Sequence, residues 1–270
     1  MNNVLQATNW IKQKKFQIIF ILIVLLGAYL RLNDFSDLAR FNADQVRDAQ
    51  IVDKMRDNGE FPLLGPKAGG TTFKLGPAFY YMQYASGMIF GFTPEGIALF
   101  IPILSVISIV LFYFFFKNIF SANVSLGLTL LYASSFYVIK YSRFAWNPNV
   151  IPFFILAFLN LLLAISLKKR PVYYHIALGI VVGLGIQLHT TLLILLPLFT
   201  LGLYVYIFVK NKKIPLLKIV ALLLTIVALN APFILSDINN KGENLSSFFS
   251  GAQSKTEKNV SPLTNLKKSV

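Results

Sequence analysis

Two aspartates four residues apart, Asp44 and Asp48, with Arg47 between them, are the residues best placed by type and spacing to do chemistry. Asn42 followed by Gln45 is a capping-box signature, so a helix is expected to begin here. On that helix the two carboxylates share one face, where like charges at this spacing repel slightly. The dipole at a helix N-terminus favours their anionic forms. Such a pair could supply a general base or hold a divalent metal bridging to phosphate. The same residues would also suit the solvated face of an amphipathic helix, with Arg47 and Lys54 neutralising the acids.

Two further polar segments stand out. In Tyr141-Ser142-Arg143-Phe144-Ala145-Trp146-Asn147-Pro148-Asn149, a guanidinium offers a natural partner for phosphate, and Pro148 suits the first turn of a following helix. Alternatively, Arg143 and Lys140 could snorkel to lipid headgroups. Gln187-Leu188-His189-Thr190-Thr191 interrupts a long apolar stretch; it could be functional, or a hairpin turn satisfying its own backbone. Lys74 could meet an anionic headgroup or a phosphate. His175 falls near the opposite end and reads as a bystander.

The elements that position these residues follow from composition. Of 270 residues 56% are hydrophobic and 13% charged, and mean hydropathy is +0.63. Soluble domains carry about 25% charged residues. The net charge of +14 might suggest nucleic acid. However, the aromatics lie inside apolar runs and the cations between them, which excludes a nucleic-acid groove. With no cysteine, disulfides and thiolate metal sites are excluded.

A spanning helix needs about 20 apolar residues. Phe16–Leu32, Ile97–Phe116, Val124–Ile139 and Val150–Leu167 qualify, Val172–Val209 is long enough for two, and Ile214–Leu235 is the last. The expectation is an all-α bundle of about seven transmembrane spans. The first run is too long for a signal-peptide core and is expected to remain as an anchor.

Lys/Arg enrichment of short cytoplasmic loops fixes the orientation. Lys12, Lys14 and Lys15 put the N-terminus inside, and alternation puts Lys117, Lys168-Lys169-Arg170 and Lys210-Lys212-Lys213 there as well. All eleven acids then fall outside, in Asp34–Glu60, Glu95 and Asp237–Glu257. Gly76–Phe92, rich in tyrosine, would invert this scheme if it spanned, so it is expected to lie in the outer interface. The chain thus divides into a membrane domain over 1–238, with a first outer loop over 33–92, and a polar, mobile outer tail over 239–270.

Phe41–Asp48, Gly59-Glu60-Phe61-Pro62-Leu63-Leu64-Gly65-Pro66 and Lys74-Leu75-Gly76-Pro77-Ala78-Phe79-Tyr80-Tyr81 together resemble the first outer loop of the type C (GT-C) membrane glycosyltransferases. The nearest look-alikes are the family of protein O-mannosyltransferases and the lipid A aminoarabinose transferase. The Ser142–Pro148 turn and Gly185-Ile186-Gln187-Leu188-His189 also look like bacterial members. The resemblance implies a transferase using a polyprenyl-phosphate-linked sugar at the outer leaflet of the plasma membrane. In that family an acid follows the first span, commonly as Asp-Glu with an Arg two residues on. Here the pair is Asp44-Gln45 with Arg47 in place, so Asp44 maps onto the catalytic acid and Arg47 onto a phosphate contact. The missing second acid bears on metal dependence, for which Asp48 could substitute.

The expected reaction is glycosyl transfer, with inversion, to an acceptor hydroxyl or phosphate on a lipid, glycan or protein. Asp44 is the expected base, with Asp48 beside it. Arg47, Lys74, Arg143, Asn147 and His189 would contact the donor, and Tyr80 and Tyr81 would border the path of its polyprenyl chain. A transporter or flippase would use the same charges without chemistry, but transporters tend to carry acids within their spans. None occurs here between Gly96 and Ser236. A non-catalytic membrane subunit is the third reading.

Overall fold

The computed structural model describes residues 2–38, 41–69 and 71–257, with the side chains of 14–37, 41–69 and 71–251. Its helices are α1 (Asn2–Leu32), α2 (Phe35–Leu38), α3 (Ala43–Asn58), α4 (Ala78–Phe90), α5 (Pro94–Ala98), α6 (Phe100–Lys117), α7 (Ala122–Ser134) and α8 (Phe136–Tyr141). A short 3₁₀ turn, Asn147–Val150, then leads into α9 (Ile151–Leu167), α10 (Val172–Gly185), α11 (Thr190–Asn211), α12 (Leu216–Leu229), α13 (Ala231–Asn239) and α14 (Glu243–Glu257). No named strand forms among the described residues, only an isolated antiparallel bridge between Lys67 and Lys74.

The segments expected to span are helical over most of their length. By length and apolarity four qualify: Lys14–Leu32, Pro94–Lys117, Asn147–Leu167 and Thr190–Asn211. The pair α12 and α13 makes a fifth if its 61° bend is part of one span. Pro232 in the first turn of α13 lacks an N–H and breaks the ladder there, which explains the bend. The run expected over 124–139 is divided at Ser135, whose backbone is extended, and α10 is apolar but short. α4, closed by Pro77 and Gly91, is about 20 Å long at 1.5 Å per residue. That is too short for a hydrocarbon core of about 30 Å.

The outward faces carry large apolar side chains in the open, among them Leu22 and Leu25 on α1, Leu198, Phe199 and Leu201 on α11, and Leu217 and Leu224 on α12. In water such contiguous exposure would drive association. In hydrocarbon it is what a spanning helix presents. The protein is a multi-pass helical membrane bundle.

The inward faces build one main core, in which Met55 of α3, Phe79 and Tyr80 of α4, Ile101 of α6, Phe154 of α9, Leu178 of α10, Leu192 of α11 and Leu222 of α12 are buried together. Between α10 and α12 the backbones approach closely at Gly179 and Gly183, a small-xxx-small spacing. A Cβ on Gly179 would lie 2.9 Å from the Leu222 carbonyl oxygen. α1 packs on α6 and α7 through Ile23, Ile109, Tyr113, Leu126 and Ala133.

Residues 65–68 pair with 73–75, through Gly65 N–H to Leu75 O (2.7 Å) and Leu75 N–H to Pro66 O (3.0 Å). The side-chain amide of Asn244 on α14 pairs with both Lys74 N–H (2.8 Å) and Lys74 O (3.0 Å), tying the start of the tail to this loop. The remainder of the tail, 258–270, lies outside the described residues.

Candidate functional site

α3 begins where the capping box predicts. The Asn42 side chain accepts from Asp44 N–H, and Gln45 Oε1 accepts from Asn42 N–H, both at 3.1 Å. The helix ends at Gly59, whose φ of 69° is the left-handed C-terminal conformation glycine permits. Gln45, Asp48, Val52 and Met55, spaced three and four apart, form its buried face against α4 and α5. The two aspartates therefore differ sharply in environment: Asp48 is 2% exposed and Asp44 is 48% exposed.

Arg47 bridges them. Its Nη1 donates to Asp44 Oδ1 (2.9 Å), while Nε and Nη2 both donate to Asp48 Oδ1 (2.9 and 2.7 Å). Burial pushes the Asp48 carboxyl up to about 6, with the Arg47 hydrogen bonds and charge pulling the other way. The Tyr80 hydroxyl of α4 belongs to the same cluster. Burial first, then the negative charge of Asp48, pushes it up to about 12, against the positive charge of Arg47. Asp44 is thus the solvent-accessible carboxylate, Asp48 holds the guanidinium from the buried side, and Tyr80 remains a neutral hydroxyl.

The paired acids fit a resident divalent metal poorly. Both already share one guanidinium, and no group of three His, Cys, Asp or Glu side chains that could hold a metal converges among the described residues.

The three polar segments meet at one end of the bundle. Gln45 Nε2 donates to Ala145 O, tying α3 to the 141–149 turn. Asn147 Nδ2 donates to Leu188 O (2.7 Å), tying that turn to the next. Gln187 Oε1 accepts Ala78 N–H (3.1 Å) at the start of α4, and its Nε2 donates to Gly183 O and Leu229 O.

Some of the polar side chains are engaged with the protein itself. Arg143 donates to the Leu30 and Asn33 carbonyls (2.7 and 3.0 Å), where a cation also complements the C-terminal end of α1. Tyr81 donates to Pro62 O (2.8 Å), holding 59–66 against α4 with Phe61 packed edge-on to its ring. His189 caps α11 by accepting Thr191 N–H at Nδ1 (3.1 Å). Lys74 is fixed by its backbone and leaves an exposed side chain.

Arg31 escaped the sequence reading. It is fully buried near the end of α1, donating to Ser105 Oγ (2.8 Å), Gly27 O (3.0 Å) and Ala133 O (2.8 Å). An arginine ending an apolar run looks like an interface anchor, so its type alone gives no signal. Nothing local announces that α6 and α7 enclose it.

A family model described as dolichyl-phosphate-mannose-protein mannosyltransferase matches residues 74–235, more than half of the chain. That stretch contains Lys74, Tyr80, Tyr81, Arg143, Asn147 and His189 and begins after the Asp44–Asp48 helix. In fold, the chain is similar to the crystal structure of the Archaeoglobus fulgidus oligosaccharyltransferase tethered with an acceptor peptide containing the NVT sequon via a disulfide bond. The TM-score is 0.55 at 15% identity, over 87% of this chain and 35% of that one. The chain therefore spans about a third of that neighbour's length, and the likeness is one of fold. No curated protein matches the chain.

Proposed function

Because the chain belongs to the dolichyl-phosphate-mannose-protein mannosyltransferase family, we propose that it is a membrane glycosyltransferase moving a sugar from a polyprenyl-phosphate-linked donor to a lipid, glycan or protein acceptor. The reaction takes place at the extracytoplasmic face of the plasma membrane, with the N-terminus in the cytoplasm. Asp44 removes the acceptor proton as general base. Arg47 stabilises charge developing on the departing lipid phosphate, with Lys74 and Arg143 adding positive potential at the same end. Asp48 positions Arg47, and Tyr80 and Tyr81 border the approach of the polyprenyl chain.

One observation supports this reading above the rest: an exposed and a buried carboxylate share one arginine at the end where the three polar turns are bonded together. The test supplies membranes containing the protein with labelled lipid-linked sugar. Label in a new covalent product is expected. Label that only crosses the membrane points to a transporter.

The assay also carries a pH signature. As pH falls through about 6, Asp48 takes up a proton and no longer pairs with Arg47 as an anion. Transfer is therefore expected to decline through that range. Asp48→Asn, neutral at every pH, is expected to be slower at neutral pH, to converge on the unsubstituted protein as pH falls below about 6, and to lack that inflection. A profile identical in both proteins assigns the inflection to another group.

A further inference from the structure

We propose that the end of the bundle opposite Asp44 holds a binding site for the phosphate of an anionic phospholipid headgroup. α9 runs from the Asn147 turn to Lys168, and α10 returns to Gly185. The 168–171 and 211–215 connections therefore lie away from the three polar turns. Between them is a cavity of about 460 Å³ lined by Lys168, Lys169, Arg170, Lys210, Lys213 and Lys218.

No acid offsets these charges. The sequence has no Asp or Glu between Gly96 and Ser236, and the ion pairs among the described residues all lie on α3. Several of the cations are held in place by neutral acceptors instead. Lys218 donates to Arg170 O (2.6 Å), Arg170 to Ala164 O (3.1 Å) and Lys210 to the Tyr206 hydroxyl (3.1 Å). Like charges gathered in one cavity repel, and a bound anion removes that repulsion.

A second, independent observation is His175, which lines the cavity and is 2% exposed. Its Nδ1 lies 2.6 Å from the Tyr204 hydroxyl, and Tyr204 is not among the lining residues. Its Nε2 is buried without a partner. Buried polar atoms are ordinarily satisfied, so this nitrogen lacks an acceptor or donor that an occupant would supply. With Nδ1 accepting the Tyr204 proton, Nε2 carries the hydrogen and donates to a phosphate oxygen.

The other walls are apolar, with Ile165, Ile207, Leu167 and Ile214 lining the cavity. The last two are 61% and 62% exposed, on the flank that meets hydrocarbon. A free phosphate would leave this surface bare, whereas a phospholipid places its glycerol and acyl carbons against it.

The test is native mass spectrometry of the full chain in detergent, with phosphatidylglycerol, phosphatidylcholine or inorganic phosphate added. Retention of phosphatidylglycerol over phosphatidylcholine is expected. Lys169→Gln with Lys213→Gln is expected to lower that retention by about fivefold per lysine, and His175→Phe to weaken it as well. Lys14→Gln with Lys15→Gln, outside the cavity, is expected to leave it unchanged. Equal retention of both lipids, equal loss in both lysine pairs, or no loss in either the lysine pair or His175→Phe overturns the site. Displacement by equimolar inorganic phosphate overturns the lipid assignment.

Discussion

Asp44→Asn is expected to lower sugar transfer by about 10²- to 10⁴-fold, the range for loss of a general base, at matched expression. The substitution keeps the shape of the side chain and its place in the first turn of α3. Its amide can no longer take the acceptor proton. Asp48→Asn is expected to have a smaller effect, about ten- to hundredfold, through loosening of a charge-assisted hydrogen bond pair. That ordering follows from access. Asp44 is about half exposed and Asp48 is enclosed beneath Arg47. The two variants are distinguishable beyond rate, since Asp48→Asn changes how Arg47 is held. Its effect should therefore appear in donor KM as well as in kcat. Undiminished transfer by Asp44→Asn would remove the assigned base, and the larger loss falling on Asp48→Asn would exchange the two roles.

Much of this arrangement is legible in the sequence, for definite reasons. Apolar runs of spanning length have few alternatives, so the helices of the membrane domain fall where hydropathy places them. Asn42 and Gln45 announce α3 because their side chains answer backbone groups within the same turn. Pro148 marks a helix start because it lacks a donor that the first turn does not use.

What is not legible depends on partners distant in sequence. Hydropathy averages over a window and does not register Ser135 dividing one run, or the bend at Asn230 dividing another. Arg143 reads equally as a phosphate contact or a lipid anchor, and only the fold brings the carbonyls of Leu30 and Asn33 to it. Gly179 and Gly183 carried a readable small-xxx-small spacing. The helix they admit, α12, is set by the fold and has no mark in the sequence around them. The acids show the same division: their spacing was visible, but the contrast between an exposed Asp44 and an enclosed Asp48 arises from α4 and α5 packing on one side of α3.

Gln187 is the clearest case of a polar residue whose work is structural, and replacing it should have the largest effect on stability. It is 2% exposed and joins three elements, accepting Ala78 N–H at the start of α4 and donating to Gly183 O on α10 and Leu229 O at the end of α12. Gly183 O keeps a second donor in Asn230 Nδ2 (3.0 Å). Ala78 N–H opens α4, where the first N–H groups have no intrahelical acceptor, and Leu229 O closes α12, where the last carbonyls leave the regular ladder.

Gln187→Met keeps length and volume but removes the amide, leaving two buried backbone groups unpaired at about 1–3 kcal/mol each. Hydrogen exchange at Ala78 N–H is expected to rise by roughly 30-fold, equivalent to about 2 kcal/mol, with a lowered Tm in detergent. Because Tyr80 lies two residues further along α4 and touches the Arg47–Asp48 pair, transfer should fall in parallel. Gln187→Glu, protonated at low pH, can still donate one hydrogen bond and should recover part of the loss there. Unchanged exchange at Ala78 in the methionine variant would mean that α4 is held by its buried aromatic face alone.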